Sequence, residues 1–234
     1  LSEALLYETG AIRSMGRADH GDAHLDTDAM EKARGITIFS KMARFAYGDA
    51  EYVLLDTPGH ADFTAEMERT LSVLDYAILV ISGIDGVQGH TRTLWKLLQN
   101  YNVPCILFIN KMDVSHRGKE ELLSHLQEKL ADACMDFGAF YGNAPMSDRD
   151  KEHIALCSEP LLDAFLNTGD LDQKLLVEAI AKRQIFPVLF GSALKVQGVK
   201  ELLRLMQDYM RQPSWGQDFA ARCFKIGRDE KGNR

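Results

Sequence analysis

The sequence predicts a doubly wound α/β fold, a mostly parallel sheet with helices on both faces. Residues 76–82 (YAILVIS), 103–110 (VPCILFIN) and 185–190 (IFPVLF) are continuous apolar runs of strand length. That is the pattern of parallel strands covered on both sides. Stretches with helical spacing alternate with them at 61–74, 88–101 and 199–211. Strand–helix alternation of this kind implies right-handed crossovers over one sheet.

The elements follow in order. Residues 1–7 (LSEALLY) have apolar positions at helical spacing, and Gly10 is a stop signal. Residues 16–28 are polar, carry His20, His24 and several Asp, lack periodicity, and read as a mobile loop. Residues 36–45 (ITIFSKMARF) partly alternate and 51–55 (EYVLL) are β-prone. The turn chemistry of Tyr47-Gly48-Asp49-Ala50 between them predicts an antiparallel hairpin. Between Asp113 and Gln184 there is no strong strand signal, while 120–132, 160–166 and 171–183 look helical. This predicts a mostly helical insertion over about 114–184, with 143–151 (NAPMSDRDK) as its flexible loop. Residues 212–216 (QPSWG) break the last helix, and 219–226 reads as one strand. The expected division is a domain over 1–213 and, over 214–234, a linker with the start of a β-rich domain.

With 46% hydrophobic and 26% charged residues over 234 positions, the chain has the composition of soluble globular protein. A net charge of −7 argues against a surface that coats nucleic acid. Local contact with RNA stays possible through a few Lys or Arg. Cys105, Cys134, Cys157 and Cys223 are widely spaced, which favours reduced thiols in a cytosolic protein over a disulfide or zinc framework. No apolar run reaches the roughly 18 residues of a membrane span, and no signal peptide opens the chain.

Four short strings then stand at strand ends. DTPGH (56–60) follows EYVLL. There Asp56 can hold Mg²⁺ through water, Thr57 and Pro58 shape the turn, and Gly59 lets a backbone N–H approach a γ-phosphate. NKMD (110–113) ends the run VPCILFIN. The Asp113 carboxylate can accept two hydrogen bonds from the N1–H and N2 edge of guanine, a pair adenine cannot offer. Asn110 would brace neighbouring loops, the Lys111 stem would lie along the base, and Met112 completes the turn. GSAL (191–194) follows IFPVLF, and its small residues let the Ala193 N–H reach guanine O6, with Ser192 and Leu194 beside it. RGIT (34–37) precedes the hairpin, where Thr37 offers a hydroxyl for Mg²⁺. Directly after the phosphate-sensing glycine, the His60 imidazole can orient the attacking water. The other histidines read as surface residues, and a metal site at His20 and His24 with Asp19, Asp22 and Asp26 lacks a rigid scaffold.

Taken in this order the strings resemble the translational GTPases. HLDTDAMEKARGITIFSK resembles their first switch, and DTPGHADFTAEMERTLSVLDYAILVISGIDGVQGHTRTLWKLL the second switch of elongation factor G. SVLDYAILVIS with DGVQGHTR and FINKMD looks most like the tetracycline ribosomal-protection branch. The resemblance implies a P-loop-NTPase-type GTPase domain followed by the first strand of a truncated β-barrel domain. It implies GTP/GDP and Mg²⁺ as ligands, a ribosome-dependent GTPase activity, and the ribosome as partner through a longer, cytoplasmic and monomeric protein. No DNA or membrane partner is expected. By motif match His60 is catalytic. Asp56, Thr57, Pro58, Gly59, His60, Asn110, Lys111, Met112, Asp113, Ser192, Ala193 and Leu194 bind nucleotide. Thr37 and Asp56 lie at Mg²⁺, and Ile36 matches an apolar gate before the histidine.

The sequence departs from the family in three ways. No G-x-x-x-x-G-K-[ST] occurs, Leu1 corresponding to the residue just after that loop. The later domains are absent beyond a first strand, and EKARGIT lacks a second acidic residue before Arg34. A piece of a longer protein is expected, binding GTP poorly as written because phosphoryl transfer depends on the phosphate clamp. Two readings stay open: a GTPase of resistance, translocation or release type, or a non-hydrolysing guanine-binding docking module.

Overall fold

The structure is a computed structural model. It describes residues 1–16, 24–25, 40–59, 62, 64–142, 146–212, 218–219, 221 and 223. The polar stretch predicted as a loop lies mostly outside these residues, as does the terminal strand predicted over 219–226.

Helix α1 (Ser2–Glu8) buries Ala4, Leu5 and Leu6. Strands β1 (Lys41–Tyr47) and β2 (Ala50–Asp56) form the predicted antiparallel hairpin, from Lys41↔Asp56 to Tyr47↔Ala50. Gly48, at φ +57°, supplies the left-handed residue that the tight turn needs. Along β1 and β2 burial alternates with period two, so Phe45 and Tyr52 stack inward at 5.2 Å while Met42, Arg44, Glu51 and Val53 face outward.

Helix α2 (Thr64–Leu71) leads to β3 (Ala77–Ser82), α3 (Gly89–Asn100), β4 (Cys105–Asn110) and α4 (Lys119–Lys129). Next come β5 (Cys134–Asp136), a 3₁₀ turn (Gly138–Tyr141), α5 (Asp148–Ala155), α6 (Glu159–Thr168) and α7 (Gln173–Ala181). Strand β6 (Phe186–Phe190) and α8 (Val199–Tyr209) end the described elements. The sheet β3-β4-β6-β5 is parallel throughout, with Leu107↔Val188 and Cys134↔Phe186 fixing the register around β6.

The central strand β4 shows why the fold is doubly wound. Its run CILFIN is buried to Ile109, and successive side chains enter opposite layers. Ile106 and Phe108 join the layer that holds α1, α7 and α8. Leu107 and Ile109 join the layer that holds α2, α3 and α4. Each face is therefore closed by apolar helix surface.

The mostly helical stretch between Asp113 and Gln184 holds one short strand, and one sequence expectation needs correction. Three-residue β5 is too short to show any period, yet it pairs with β6 and buries Cys134 and Met135. Residues 148–151 are not a flexible loop but the first turn of α5. The Ser147 side chain accepts the Asp150 N–H, the acidic first turn suits the positive end of the helix, and Ile154 and Ala155 anchor it in the core. Of the predicted loop, 143–145 lie outside the described residues.

The segment after β5 packs on α8 through aromatic contacts. Phe137 lies 4.8 Å from Phe140 and 5.4 Å from Tyr209 of α8. Ahead of β6, Arg183 stands over Trp95 at 5.3 Å and Phe186 at 5.1 Å, and its guanidinium donates to the Val103 carbonyl. Among the described residues no helix is long and apolar enough to cross a membrane.

Candidate functional site

Loops at the carboxyl ends of parallel strands are where open α/β sheets bind ligands. Strand β4 ends at Asn110 and β6 at Phe190, and the two strands are neighbours. The NKMD and GSAL strings therefore emerge side by side.

They are bonded to each other at several points. Asn110 Oδ1 accepts the Ala193 backbone N–H at 2.8 Å. The Met112 N–H donates to the Gly191 carbonyl at 3.0 Å, and the Gly191 N–H to the Ile109 carbonyl at 2.9 Å. Past Gly191 the chain folds back on itself, with Ser192 and Gln197 exchanging both backbone bonds at 3.0 and 2.9 Å. Ser192 Oγ accepts the Lys195 N–H at 3.3 Å. Only glycine fits at position 191, because a Cβ there would run into the Gln197 carbonyl and come within 2.8 Å of Phe108 Cζ. Lys111 adopts φ +65°, the left-handed turn that redirects the chain after β4.

Exposure divides the residues by role. Ser192 and Ala193 are buried and hold the loop together. Lys111, Asp113 and Leu194 are exposed, leaving a carboxylate and a long aliphatic stem available above a rigid base. The arrangement can offer a fixed carboxylate to a flat ligand with two adjacent donors. The Ala193 N–H, predicted for guanine O6, is directed to Asn110 in this structure. The bracing role read for Asn110 matches this geometry.

Asp56 closes β2, opposite Lys41, and its Oδ1 accepts the Ser2 hydroxyl at 2.7 Å. A carboxylate and a hydroxyl in contact at a strand end form an oxygen-rich corner that suits a hard cation such as Mg²⁺. Thr57 is half-buried, Pro58 is buried, and Gly59 is exposed with no heavy atom within 4 Å of where a Cβ would stand. That open space leaves the Gly59 backbone approachable. His60, Thr37, Ile36 and Arg34 lie outside the described residues. Among the described residues no group of three or more His, Cys, Asp or Glu converges on one point.

The sequence did not single out Ser2 or Gln197. Ser2 had no signal, because its contact with Asp56 spans 54 positions and arises only in the fold. Gln197 had none, because its contribution is made by the backbone alone.

Similarity to known proteins agrees with this geometry. The family described as "Elongation factor Tu GTP binding domain" matches residues 1–212. The chain is 33% identical over 254 aligned residues to the oxytetracycline resistance protein of Streptomyces rimosus, covering 99% of this chain and 38% of that protein. It is 37% identical over 216 residues to the tetracycline resistance protein TetM of Streptomyces lividans, covering 87% and 34%. The chain thus spans little more than a third of the length of these relatives. A crystal structure of a Thermus thermophilus protein superposes with a TM-score of 0.78 at 24% identity, over 90% of this chain and 38% of that one. The α/β fold, the strand-end strings and the match over nearly the whole chain converge: this chain belongs to the elongation factor Tu GTP-binding domain family.

Proposed function

We propose that residues 1–213 form a guanine-nucleotide domain that binds GTP and GDP with Mg²⁺ and, in a longer protein, hydrolyses GTP on the ribosome. The observation that carries this reading is the Asn110–Ala193 bond, which locks the two base-contacting loops into one unit beside the exposed Asp113. Asp113 accepts from guanine N1–H and N2, the Lys111 stem covers the base, and Met112, Ser192 and Leu194 complete the pocket wall. The Ala193 N–H is shared between Asn110 and guanine O6 when the base is present.

Thr57, Pro58 and Gly59 carry the second switch and Asp56 with Thr37 would hold Mg²⁺, which neutralises phosphate charge when bound. His60 orients the water, whose oxygen attacks the γ-phosphorus in line as the bond to the β–γ bridging oxygen breaks, giving GDP and phosphate. The names of the relatives favour tetracycline resistance over translocation or release as the role of the longer protein, and the resemblance to the ribosomal-protection branch makes the ribosome its site of action. We place the protein in the cytoplasm as a monomer, with residues 214–234 leading into a β-barrel domain.

The test of base recognition is Asp113→Asn. Asn presents an N–H to a carbonyl at C2, so the variant should exchange guanine for xanthine preference. Calorimetric titration with GDP and XDP reads this directly, and a variant that still prefers GDP overturns the reading. For the biological role, expressing the full gene in a susceptible bacterium should raise the tetracycline inhibitory concentration. An unchanged concentration, with ribosome-stimulated GTPase activity intact, removes the resistance role.

A further inference from the structure

The loop that follows Asp113 packs against the loop that follows β3, and the contact is built around one peptide unit. The Gly83 N–H donates to the Asn110 carbonyl at 2.7 Å. The Gly83 carbonyl accepts the Ser115 hydroxyl at 2.8 Å. The same hydroxyl oxygen accepts the Arg117 N–H at 3.1 Å, and the Arg117 carbonyl is a longer alternative acceptor at 3.3 Å. One buried glycine therefore grips the first residue of NKMD with its N–H and the segment just past NKMD with its carbonyl.

The small size of glycine suits the close approach. A Cβ at position 83 would come within 2.8 Å of Met112 Sδ and 3.2 Å of the Asn110 carbonyl. Between the two grips the chain makes its left-handed turn at Lys111 and presents Asp113 to solvent. The direction of an exposed carboxylate is set by the backbone that carries it, and here both ends of that backbone are pinned to Gly83.

We propose that Ser115 is a positioning residue for base recognition. By holding the Gly83 carbonyl it fixes the turn that aims the Asp113 carboxylate at the guanine edge. This rests on the guanine-binding reading of the site. Ser115 itself touches no base, so its effect must pass through the direction of Asp113. That predicts a specific signature: the bond most sensitive to carboxylate direction, the one to the C2 amine, is lost first.

A second bond between the same loops, from the Gly83 N–H to the Asn110 carbonyl at 2.7 Å, keeps them together without Ser115. Removal of the hydroxyl therefore loosens the turn without separating the loops.

The experiment compares GDP with IDP, which differ only in the amine at C2. Binding of each to the full-length gene product that carries this domain is measured by calorimetry for the wild type, Ser115→Ala and Ser115→Thr. The expected result is a loss of roughly fivefold to tenfold in GDP affinity for Ser115→Ala, with IDP changed less than about twofold. Ser115→Thr, which keeps the hydroxyl, restores the GDP-over-IDP ratio. Equal weakening of both nucleotides, or an unchanged ratio, shows that Ser115 only staples two loops and overturns the proposal. If Ser115→Ala does not fold, Ser115→Cys, similar in size and a weak donor, is read by the same ratio. A wild type without GDP preference overturns the guanine reading itself. A wild type with that preference, converted to xanthine by Asp113→Asn, upholds the reading and isolates Ser115 as the only claim at issue.

Discussion

The Asn110 side-chain oxygen lies 2.8 Å from the Ala193 backbone nitrogen. Through this bond the end of β4 holds the loop after β6 independently of any ligand. Removing the acceptor leaves a largely buried N–H unpaired, which costs about 1–3 kcal/mol. Asn110→Ala should therefore lower stability by about that amount and speed hydrogen exchange at the Ala193 amide. Urea unfolding with exchange mass spectrometry checks both, and unchanged protection at Ala193 would contradict the geometry.

Gly191→Ala should be more severe than an ordinary loop substitution. The added methyl meets the Gln197 carbonyl and Phe108, a backbone atom and a core ring that cannot move aside cheaply. Overpacking of this kind costs about 1–3 kcal/mol, and the Ser192–Gln197 bridge should open. Thermal unfolding and the Ser192 amide resonance report the two effects.

Arg183, between α7 and β6, ties its segment to the chain ahead of β4 and to helix α3. Its guanidinium serves the Val103 carbonyl and covers Trp95 and Phe186. Arg183→Met keeps the aliphatic stem but deletes both contacts, so a loss of about 1–3 kcal/mol is expected. Denaturant unfolding followed by Trp95 fluorescence is the measurement, and an unchanged midpoint would show that the carbonyl is served by water instead.

Burial raises the pKa of Asp136 above the ordinary carboxylate value, opposed by the Gly138 N–H that its side chain accepts at 2.7 Å and by nearby Lys119. A raised folded-state pKa means the ionised form is disfavoured in the fold. The destabilisation is fully present above the folded pKa and disappears as pH falls below the unfolded value. Asp136→Asn keeps the acceptor for Gly138 and removes the charge, so it should raise the melting temperature at pH 7 and lose that advantage near pH 3. Melting curves across this range check the sign.

Legibility in the sequence followed the size of the physical signal. Strand β4 was readable because both its faces are buried, which forces an unbroken apolar run. Strand β5 was not, since three residues with two buried side chains carry no period. Helix α5 was hidden because DRDK is polar and only Ile154 and Ala155 reach the core. At the site, the adjacency of NKMD and GSAL followed from their order on neighbouring strands. The grip of Ser115 on Gly83 was invisible, because its acceptor is a backbone group that leaves no trace in residue identity, whereas Asn110 was read only as a general brace without its partner.

The Asn110–Ala193 bond also has a place in time. Its partners are 83 positions apart, and closing so long a loop costs entropy before any contact rewards it. Helices α5 to α7, by contrast, form from near neighbours along the chain. During synthesis Asn110 emerges well before Ala193 exists, so the β4–β6 pairing must wait for the whole helical excursion to be made. Protection of the Ala193 amide in pulse-labelled refolding should accordingly appear after the amides of helices α5 to α7 are protected, so the base-contacting loops take shape later than the helices between them.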